Sequence, residues 1–410
     1  MKKGCAALGS VILTMLLGCG TPPPPAPVAE PEIMFLRSPL GVAVVETGAT
    51  EAAFRGSAAV PTRDWSTIVS TDNVKGGSTR VSALDPSTGT ARWSQVVPGG
   101  LSVKIASEDG GVAVLGPTSE RHHLRGRSET ELTIVRTGQA DEQSLTLKGN
   151  YEPEAFSTDG RNLFVIRYLP SQNPTKYQVR RLDLTDGRVK SVYTPDQHLQ
   201  RAMGGTARIQ VGSPDGTRLY TLYTVGRGSD RYAFIHVLDL DQLWAHCIDL
   251  PKEFARSAEF ATALSVSPDG TKLHVGNGAA QAVAEIDTQE LAVTRSESVS
   301  LSAGRQASAA SSESSFYFAN GNEVTAVDTA ALQKENSWDM LRRITGLQVT
   351  GGAKRLLVGL RDKVVAVDLS TGEIAETIDP PGVKRIYQFG PTMSPVEDTL
   401  SDRRVLKCAC

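Results

Sequence analysis

Apolar and polar residues alternate in short runs along the chain, and residues 261–298 show the repeated unit most fully. Leu264 and Val266 alternate with small or polar residues, as a half-buried strand requires. Ser267 to Gly270 predicts a tight turn, because proline presets φ and glycine accepts a positive φ. Further strands are predicted around Leu273 and Val275, from Val283 to Asp287 and from Leu291 to Arg295. Four short antiparallel strands of this kind form one blade of a β-propeller.

The turn signal recurs at the spacing of propeller blades. Its seven occurrences begin at Pro61, Ser107, Ser157, Ser213, Ser267, Ser311 and Thr350. A second signature is an Asp after the apolar pair that ends each third strand, at Asp85, Asp183, Asp239, Asp287, Asp328 and Asp368. Such a carboxylate can accept hydrogen bonds from the next turn; only the second blade departs, with Arg136 there. The pattern predicts an all-β fold, a single β-propeller of four-stranded antiparallel blades.

The two ends of the repeat region decide the number of blades. Ile33 to Val45 and Lys384 to Phe389 are apolar and strand-like, yet neither belongs to the seven turns. Propellers often complete one blade with strands from both termini, which removes the open edge. These segments could finish the seventh blade or together form an eighth. We expect seven blades, with eight as the alternative.

Residues 35–389 resemble the YVTN-repeat and TolB-like bacterial propellers, which carry Ser-Pro-Asp-Gly turns followed by Leu-x-Val strands. Residues 81–93 and 365–373 are similar to the repeats of quinoprotein-type propellers. In those proteins the Trp packs between neighbouring blades, which implies that place for Trp93. Both families contain enzymes and binding scaffolds, so the resemblance does not by itself indicate a function.

The first residues are typical of an export signal. Lys2 and Lys3 precede an apolar run from Cys5 to Leu17 that is too short to span a bilayer. The run ends in Leu16-Leu17-Gly18-Cys19, which resembles the lipobox of bacterial lipoproteins, where the Cys sulfur receives a diacylglycerol and the leader is cut just before it. The alternative is an ordinary cleaved signal with a chance Cys.

These observations divide the chain into four parts. Residues 1–18 are predicted to be a lipoprotein signal peptide, and residues 19–32 a lipidated, proline-rich spacer that holds the body off a membrane. Residues 33–390 form the propeller, and residues 391–410 a polar tail that ends in Cys-x-Cys.

Three cysteines remain in the exported chain: Cys247, Cys408 and Cys410. An odd number leaves one thiol outside any internal bridge. We expect Cys247 to pair with Cys408 or Cys410, and a strained Cys408–Cys410 bridge is the competing arrangement. A metal site built from Cys408, Cys410 and either His246 or Cys247 is the functional alternative, but the paired Cys-x-x-Cys spacing of zinc sites is absent.

The charge balance excludes one class of partner. Among 410 residues, 43 Lys and Arg nearly cancel 45 Asp and Glu, which gives a formal net charge of -2. A nucleic-acid partner would call for a basic domain, so none is expected. The sequence contains no nucleophile elbow, phosphate loop or His-Glu-x-x-His motif, and it indicates no catalytic residue, metal or cofactor. His236 and His274 lie among apolar neighbours and are interpreted as satisfied structural histidines.

Two insertions are the best candidates for recognition. The first is a basic loop in blade two that contains Arg121, His122, His123, Arg125 and Arg127. It is either a solvated loop or a contact for an anionic partner such as a lipid head group or cell-wall polymer. The second insertion, from Leu169 to Tyr177, occurs at the same stage of blade three. If both loops project from one face, that face is the candidate recognition surface.

Together these features favour a non-catalytic envelope lipoprotein, anchored on the extracytoplasmic face of a membrane, whose propeller acts as a scaffold for a protein or glycan. The alternative is an enzyme that uses the central channel, either a quinone-cofactor dehydrogenase or a metal-dependent lactonase or lyase. A lactonase needs carboxylates and amides from different blades to converge on one channel end, which a single sequence cannot test.

Overall fold

The computed structural model describes residues 33–52, 54–56, 58–120, 123–195, 203–204, 206–225, 231–255, 261–304 and 306–391. In this part of the chain, eight four-stranded antiparallel sheets are arranged as the blades of one β-propeller. Short 3-10 turns occur at His123–Arg125, Lys252–Ala255 and Gly351–Ala353. The described segments include no helix with the length and apolar character needed to cross a membrane.

The strands are numbered in chain order. The first half of the chain contains β1 (Ile33–Ser38), β2 (Gly41–Glu46), β3 (Phe54–Gly56), β4 (Ala59–Pro61), β5 (Ile68–Val74), β6 (Ser78–Leu84), β7 (Ala91–Pro98), β8 (Leu101–Ala106), β9 (Val112–Pro117), β10 (Glu129–Arg136), β11 (Gln143–Lys148), β12 (Asn150–Phe156), β13 (Asn162–Leu169), β14 (Lys176–Asp183), β15 (Arg188–Ser191) and β16 (Thr206–Gly212). The second half contains β17 (Arg218–Val225), β18 (Tyr232–Asp239), β19 (Trp244–Asp249), β20 (Thr262–Val266), β21 (Lys272–Asn277), β22 (Ala282–Asp287), β23 (Ala292–Ser298), β24 (Ala307–Ser311), β25 (Ser315–Asn320), β26 (Glu323–Asp328), β27 (Gln333–Asp339), β28 (Ile344–Val349), β29 (Arg355–Leu360), β30 (Val364–Asp368), β31 (Ile374–Ile378) and β32 (Gln388–Phe389).

Blades 1 to 7 follow the chain, from β4–β7 in blade 1 to β28–β31 in blade 7. The first strands of neighbouring blades contact each other around the axis, so these strands are the innermost. Each of the seven sequence turns joins a first strand to a second strand, which confirms the phase of the repeat. In blade 5 the Ser267 hydroxyl donates to the Asp269 carboxylate at 2.5 Å and accepts from the Lys272 amide at 3.0 Å.

The Asp after each third strand has the predicted role. Asp287 Oδ1 accepts from the amides of Gln289 and Glu290, both at 2.9 Å, and Asp85 and Asp368 bind their turns in the same way. These amides and the Lys272 ammonium lower the pKa of Asp287 to about 2. The repeated acid therefore fixes the turn into the fourth strand.

The described chain forms eight blades, so the expectation of seven is wrong and the alternative, an eighth blade built from both ends of the repeat region, is confirmed. The eighth sheet has the order β3-β2-β1-β32, so its innermost strand comes from the C-terminal end of the described chain. Phe389 pairs with Leu36, and Gln388 with Arg37. Because its first and second strands come from opposite ends of the sequence, this blade has no turn between them, and the turn count missed it.

Close packing fixes β32 against blade 7. Phe389 is 2% exposed and lies over two glycines of that blade. A Cβ on Gly359 would lie 2.1 Å from the Phe389 Cβ, and one on Gly346 would lie 1.8 Å from the Phe389 carbonyl oxygen. These two positions therefore require glycine.

The core is divided among the blade interfaces. Each pair of neighbours shares an apolar cluster, including blades 8 and 1, where Val42 and Val44 pack with Trp65 and Ile68. Trp93, in the outer strand of blade 1, donates from Nε1 to the Gly110 carbonyl of blade 2 at 3.1 Å. Its predicted place between blades is thereby confirmed.

The meander defines two faces. Turns from first to second strands and from third to fourth strands lie on one face, which we call the turn face. The connections between second and third strands, and those between blades, lie on the other, which we call the loop face. The described chain begins at Ile33 on the turn face, where the Ile33 carbonyl accepts from Gln348 at 2.6 Å.

Closure of the ring gives a direct stability prediction. Phe389→Ala removes a fully buried side chain from the seam and should lower the free energy of unfolding by about 3–5 kcal/mol. Urea denaturation followed by tryptophan fluorescence measures this change. Phe389→Leu keeps an apolar side chain and should cost less than about 1.5 kcal/mol. An equal, small loss in both variants would contradict closure through Phe389.

Candidate functional site

The two inserted loops pack together on the loop face, as the sequence hypothesis requires. Residues 118–128 connect β9 to β10 in blade 2, and residues 170–175 connect β13 to β14 in blade 3. The Arg127 amide donates to the Ser171 carbonyl at 2.9 Å. Gly126 has a φ of +80°, and a Cβ there would lie 2.6 Å from the Gln172 Cα. The loops therefore form one surface beside the channel.

Arg127 lies beneath this surface rather than in solvent. Its side chain is only 5% exposed. Its guanidinium contacts Glu120 Oε1 at 2.5 Å and Glu152 Oε2 at 2.8 Å, and its Nε donates to Asn150 Oδ1 at 3.0 Å. A buried arginine needs such partners, because an unpaired charge is costly away from water. Arg127 thus joins the blade 2 loop to the first strand of blade 3.

A lysine and a histidine also approach these carboxylates. Lys104, on β8, lies 3.1 Å from Glu120 and 4.0 Å from Glu152. His123 Nδ1 lies 3.5 Å from Glu152 Oε2. Lys104 and Glu152 side chains remain about one quarter exposed. We call Lys104, Glu120, His123, Arg127 and Glu152 the charge cluster.

The charge cluster and burial give two glutamates on β12 very different pKa values. Burial raises the pKa of Glu152, but His123, Lys104 and Arg127 outweigh burial and lower that pKa to about 2. Burial raises the pKa of Glu154 from 4.5 to about 7, the negative charge of Glu152 adds to this, and a hydrogen bond from Gln210 opposes it. The Gln210 Nε2 donates to Glu154 Oε1 at 2.5 Å. At neutral pH one glutamate is ionised and its neighbour is half protonated.

Tyrosines border the two glutamates. The His123 ring stacks on Tyr168 with centroids 4.6 Å apart. Burial, followed by the charges of Glu152 and Glu154, raises the pKa of Tyr168 well above its usual value of 10. Tyr168 therefore stays a neutral hydroxyl. Behind it, Tyr223 stacks between Tyr177 and Phe234 at 5.2 and 5.3 Å.

This arrangement offers several kinds of polar contact within one mouth of the channel. Lys104 supplies a partly exposed cation, Glu152 an anion, Tyr168 a neutral hydroxyl, and Glu154 a carboxyl group that titrates near neutral pH. Perturbed carboxylates with named charge partners are concentrated at functional sites. The geometry suits a ligand with several hydroxyl, amide or carboxyl groups.

The other sequence candidates are either outside the described residues or not part of this cluster. Arg121, His122, Cys19, Cys408 and Cys410 lie outside the described residues, so lipid attachment and disulfide pairing stay predictions. Arg125 is exposed in the 3-10 turn. Cys247 lies partly buried on β19, and no disulfide joins any two described residues. The same part of the chain contains no group of three His, Cys, Asp or Glu side chains able to hold a metal.

The two strand histidines are buried, as interpreted, but they are poorly satisfied. His236 is 4% exposed, and burial followed by the charge of His246 lowers its pKa to about 4. His274 is 2% exposed, its Nε2 lies 3.6 Å from Glu285 Oε2, and neither of its ring nitrogens has a hydrogen-bond partner among the described residues. His274 lies at the base of a cleft of about 670 Å³ between blades 5 and 6. This second polar site opens among the turns of those blades.

Sequence reasoning identified the loop but missed its partners. Glu120, Glu152, Glu154 and Lys104 were not singled out, because they come from three different segments. One signal was available: Glu152 and Glu154 stand two residues apart, which places both on one face of a first strand. Two carboxylates side by side on an inner strand indicate a site that faces the channel.

Comparison with known proteins supports the architecture. No protein-family model matches the sequence, and no curated protein matches it. Apo AztD from Citrobacter koseri is similar in structure, with 13% identity, a TM-score of 0.55, and coverage of 88% of this chain and 97% of that chain. A second AztD structure from that organism is similar with 12% identity and a TM-score of 0.54, and the match covers 88% of this chain and 96% of that chain.

Kuenenia stuttgartiensis hydrazine synthase matches with 18% identity and a TM-score of 0.43, covering 73% of this chain and 93% of that chain. The likeness to the two AztD structures, at 12% and 13% identity, shows the propeller fold alone.

Glu154 gives a pH-dependent stability prediction. Its folded pKa of about 7 exceeds the ordinary 4.5, so the unfolded chain loses the proton first as pH rises. The contribution of Glu154 to stability is therefore present below pH 4.5 and lost as pH approaches 7. Relative to the native chain, Glu154→Gln should gain stability across this window, by up to about 3 kcal/mol. Urea denaturation at a series of pH values measures it.

Asp287→Asn is the control for this titration. The amide of Glu290, the Lys272 ammonium and the amide of Gln289 lower the pKa of Asp287 to about 2. The difference in unfolding free energy between Asp287→Asn and the native chain should therefore stay nearly constant between pH 4.5 and 7, because this carboxyl is ionised in both folded and unfolded chains. A flat difference for Glu154→Gln as well would refute the raised pKa.

Proposed function

We propose that the protein is a lipid-anchored propeller of the cell envelope, held through Cys19 on the extracytoplasmic face of a membrane. It acts as a non-catalytic binding and scaffold module for an envelope protein or glycan. Its ligand site is the mouth of the channel between blades 2, 3 and 4, formed by the charge cluster, Glu154 and Tyr168.

One observation carries this proposal: two inserted loops from neighbouring blades pack together above a set of mutually paired charges. The Arg127 contacts hold Glu120 and Glu152 in fixed positions, so a ligand would meet a site that is already ordered. Preorganised polar groups lose little entropy on binding. Loops on a rigid scaffold are common places for recognition.

The position of Ile33, which directly follows the predicted spacer in the sequence, supports presentation of this site. Ile33 enters blade 8 on the turn face, whereas the charge cluster lies on the loop face of blades 2 and 3. A tether that precedes Ile33 therefore joins the ring well away from the site. The leader, with Lys2, Lys3 and the lipobox ending at Cys19, is the sequence basis for that tether.

A second function is favoured by one feature. Glu154 has a pKa near 7, which suits a general acid or base at neutral pH. That would fit a propeller enzyme that uses its central channel, such as a quinone-cofactor dehydrogenase or a metal-dependent lactonase or lyase. The charge cluster does not fit a metal ion, because Arg127 and Lys104 already hold its carboxylates.

Anchoring is tested by the fate of the leader. The native chain should be cut before Cys19 and recovered in the membrane fraction, with the mass of an acylated N-terminus. Cys19→Ser should lose both the acyl mass and the membrane recovery, because the sulfur that carries the lipid is gone. Mass spectrometry of the purified N-terminal peptide measures the first effect and cell fractionation the second. A native chain that is cut elsewhere or keeps its leader would overturn the anchor.

Ligand recognition is tested with a matched pair of lysine variants. The native protein is screened against an array of envelope glycans and purified envelope proteins, and the affinity of retained ligands is measured by calorimetry. Lys104→Met should weaken binding at least about tenfold, the usual cost of a lost charged contact. Lys272→Met removes a similarly ion-paired lysine from blade 5 and should bind normally.

Two results would count against the proposed site. Equal binding by both lysine variants would show that the ligand sits elsewhere. If the native protein converts a bound glycan and Glu154→Gln abolishes this turnover, the enzyme function is favoured instead.

A further inference from the structure

A second surface on the loop face combines exposed apolar side chains with positive charge. Leu341 is 87% exposed, Leu40 is 63% exposed and Tyr387 is 38% exposed. They lie on three connections: between blades 6 and 7, between β1 and β2, and between β31 and β32. Leu341 has a φ of +56°, so its backbone is a sharp turn. Large apolar side chains on exposed turns indicate an interaction site when they lie together.

The four loops that form this surface are strongly basic. Residues 37–40, 339–343, 361–363 and 379–387 contain seven cations and three acids, a net charge of +4 in a chain whose total is -2. The cations are Arg37, Arg342, Arg343, Arg361, Lys363, Lys384 and Arg385. Five of them, Arg342, Arg343, Arg361, Lys384 and Arg385, are exposed. We call these four loops the basic rim.

Contacts between the loops make the basic rim continuous. Arg342 bridges to Asp362 at 2.8 Å. The Ile386 amide donates to the Arg361 carbonyl at 2.6 Å, and the Tyr387 amide donates to the Arg37 carbonyl at 2.8 Å. The Arg385 guanidinium lies over the Tyr387 ring, 4.9 Å from its centroid. The cations and apolar side chains therefore belong to a single surface on blades 7 and 8.

We infer that the basic rim docks on an anionic lipid surface. Arginine and lysine heads contact lipid phosphates, while Leu341, Leu40 and Tyr387 enter the boundary between head groups and acyl chains. A negatively charged leaflet attracts clustered cations, and apolar side chains among them add burial. An acidic glycan would account for the cations but would leave the exposed leucines without a role, so the lipid surface explains more of the rim.

The rim and the charge cluster lie on different blades of the loop face. The rim is on blades 7 and 8, about three of the eight blades from the charge cluster on blades 2 and 3. Docking through the rim therefore uses none of the residues of the charge cluster. Ile33 lies in blade 8, the blade that carries Leu40, but on the turn face.

The inference does not depend on the lipid anchor, because its test uses a chain without lipid. The chain from residue 19 with Cys19→Ser retains every described strand. Its binding to vesicles of phosphatidylethanolamine with phosphatidylglycerol is measured by flotation, beside vesicles of phosphatidylcholine alone. We expect binding to the anionic vesicles only, weakened at least about tenfold by roughly 0.5 M salt.

Two variants test the two kinds of contact. Arg343→Gln, Lys384→Gln and Arg385→Gln together should weaken vesicle binding about 100-fold, at about fivefold for each cation near an anionic surface. Leu341→Ser should weaken it about tenfold without any change in charge. Urea denaturation confirms that both variants stay folded.

A matched control removes the same charge from the turn face. Arg161→Gln, Arg188→Gln and Lys354→Gln change exposed cations outside the basic rim and should bind vesicles like the native chain. The inference is overturned if the native chain ignores anionic vesicles, if the control loses as much binding as the rim variant, or if the chain binds heparin but no vesicle.

Discussion

Apolar burial between neighbouring sheets is the constraint on which this fold depends. Each blade has two faces to cover, and each interface between neighbours carries its own apolar cluster. An open row of blades would leave the outer faces of the first and last in water. The pairing of β32 with β1 removes that exposure, because it completes blade 8 and brings it against both blade 7 and blade 1. Everything else, including the position of the loops, follows from the closed ring.

The repeated parts of the fold were predictable because their chemistry is local. Ser267, Asp269 and the amides that they bind lie within six residues of each other, so the sequence alone predicts the turn. The eighth blade depends on a pairing between Leu36 and Phe389, at opposite ends of the chain. No local pattern reports such a pair, and β32 is only two residues long. Strand character was visible at both ends and a shared eighth blade was one alternative, but no local pattern could choose it over completion of the seventh blade.

The candidate site also combines features that are local in the sequence with features that depend on the tertiary fold. The basic loop was visible in the sequence, yet the role of Arg127 is set by Glu120 and by Glu152, which lies on another blade. A pattern of clustered cations predicts a solvated or anion-binding loop. It cannot show that one of these cations, Arg127, already forms an ion pair with a glutamate of the neighbouring blade. The raised pKa of Glu154 depends on burial and on Glu152, both products of the tertiary fold. The basic rim is likewise assembled from loops far apart in sequence.

The origin of β32 has a consequence for biogenesis. The ribosome releases Ile33 before blades 1 to 7 and Phe389 after them, so the seam cannot form until translation has passed β32. Until then Phe389 is missing from the interface of blades 7 and 8, and the nascent chain keeps part of that apolar interface uncovered. Ring closure is therefore a late step of biogenesis, which follows the synthesis of every other strand of the propeller.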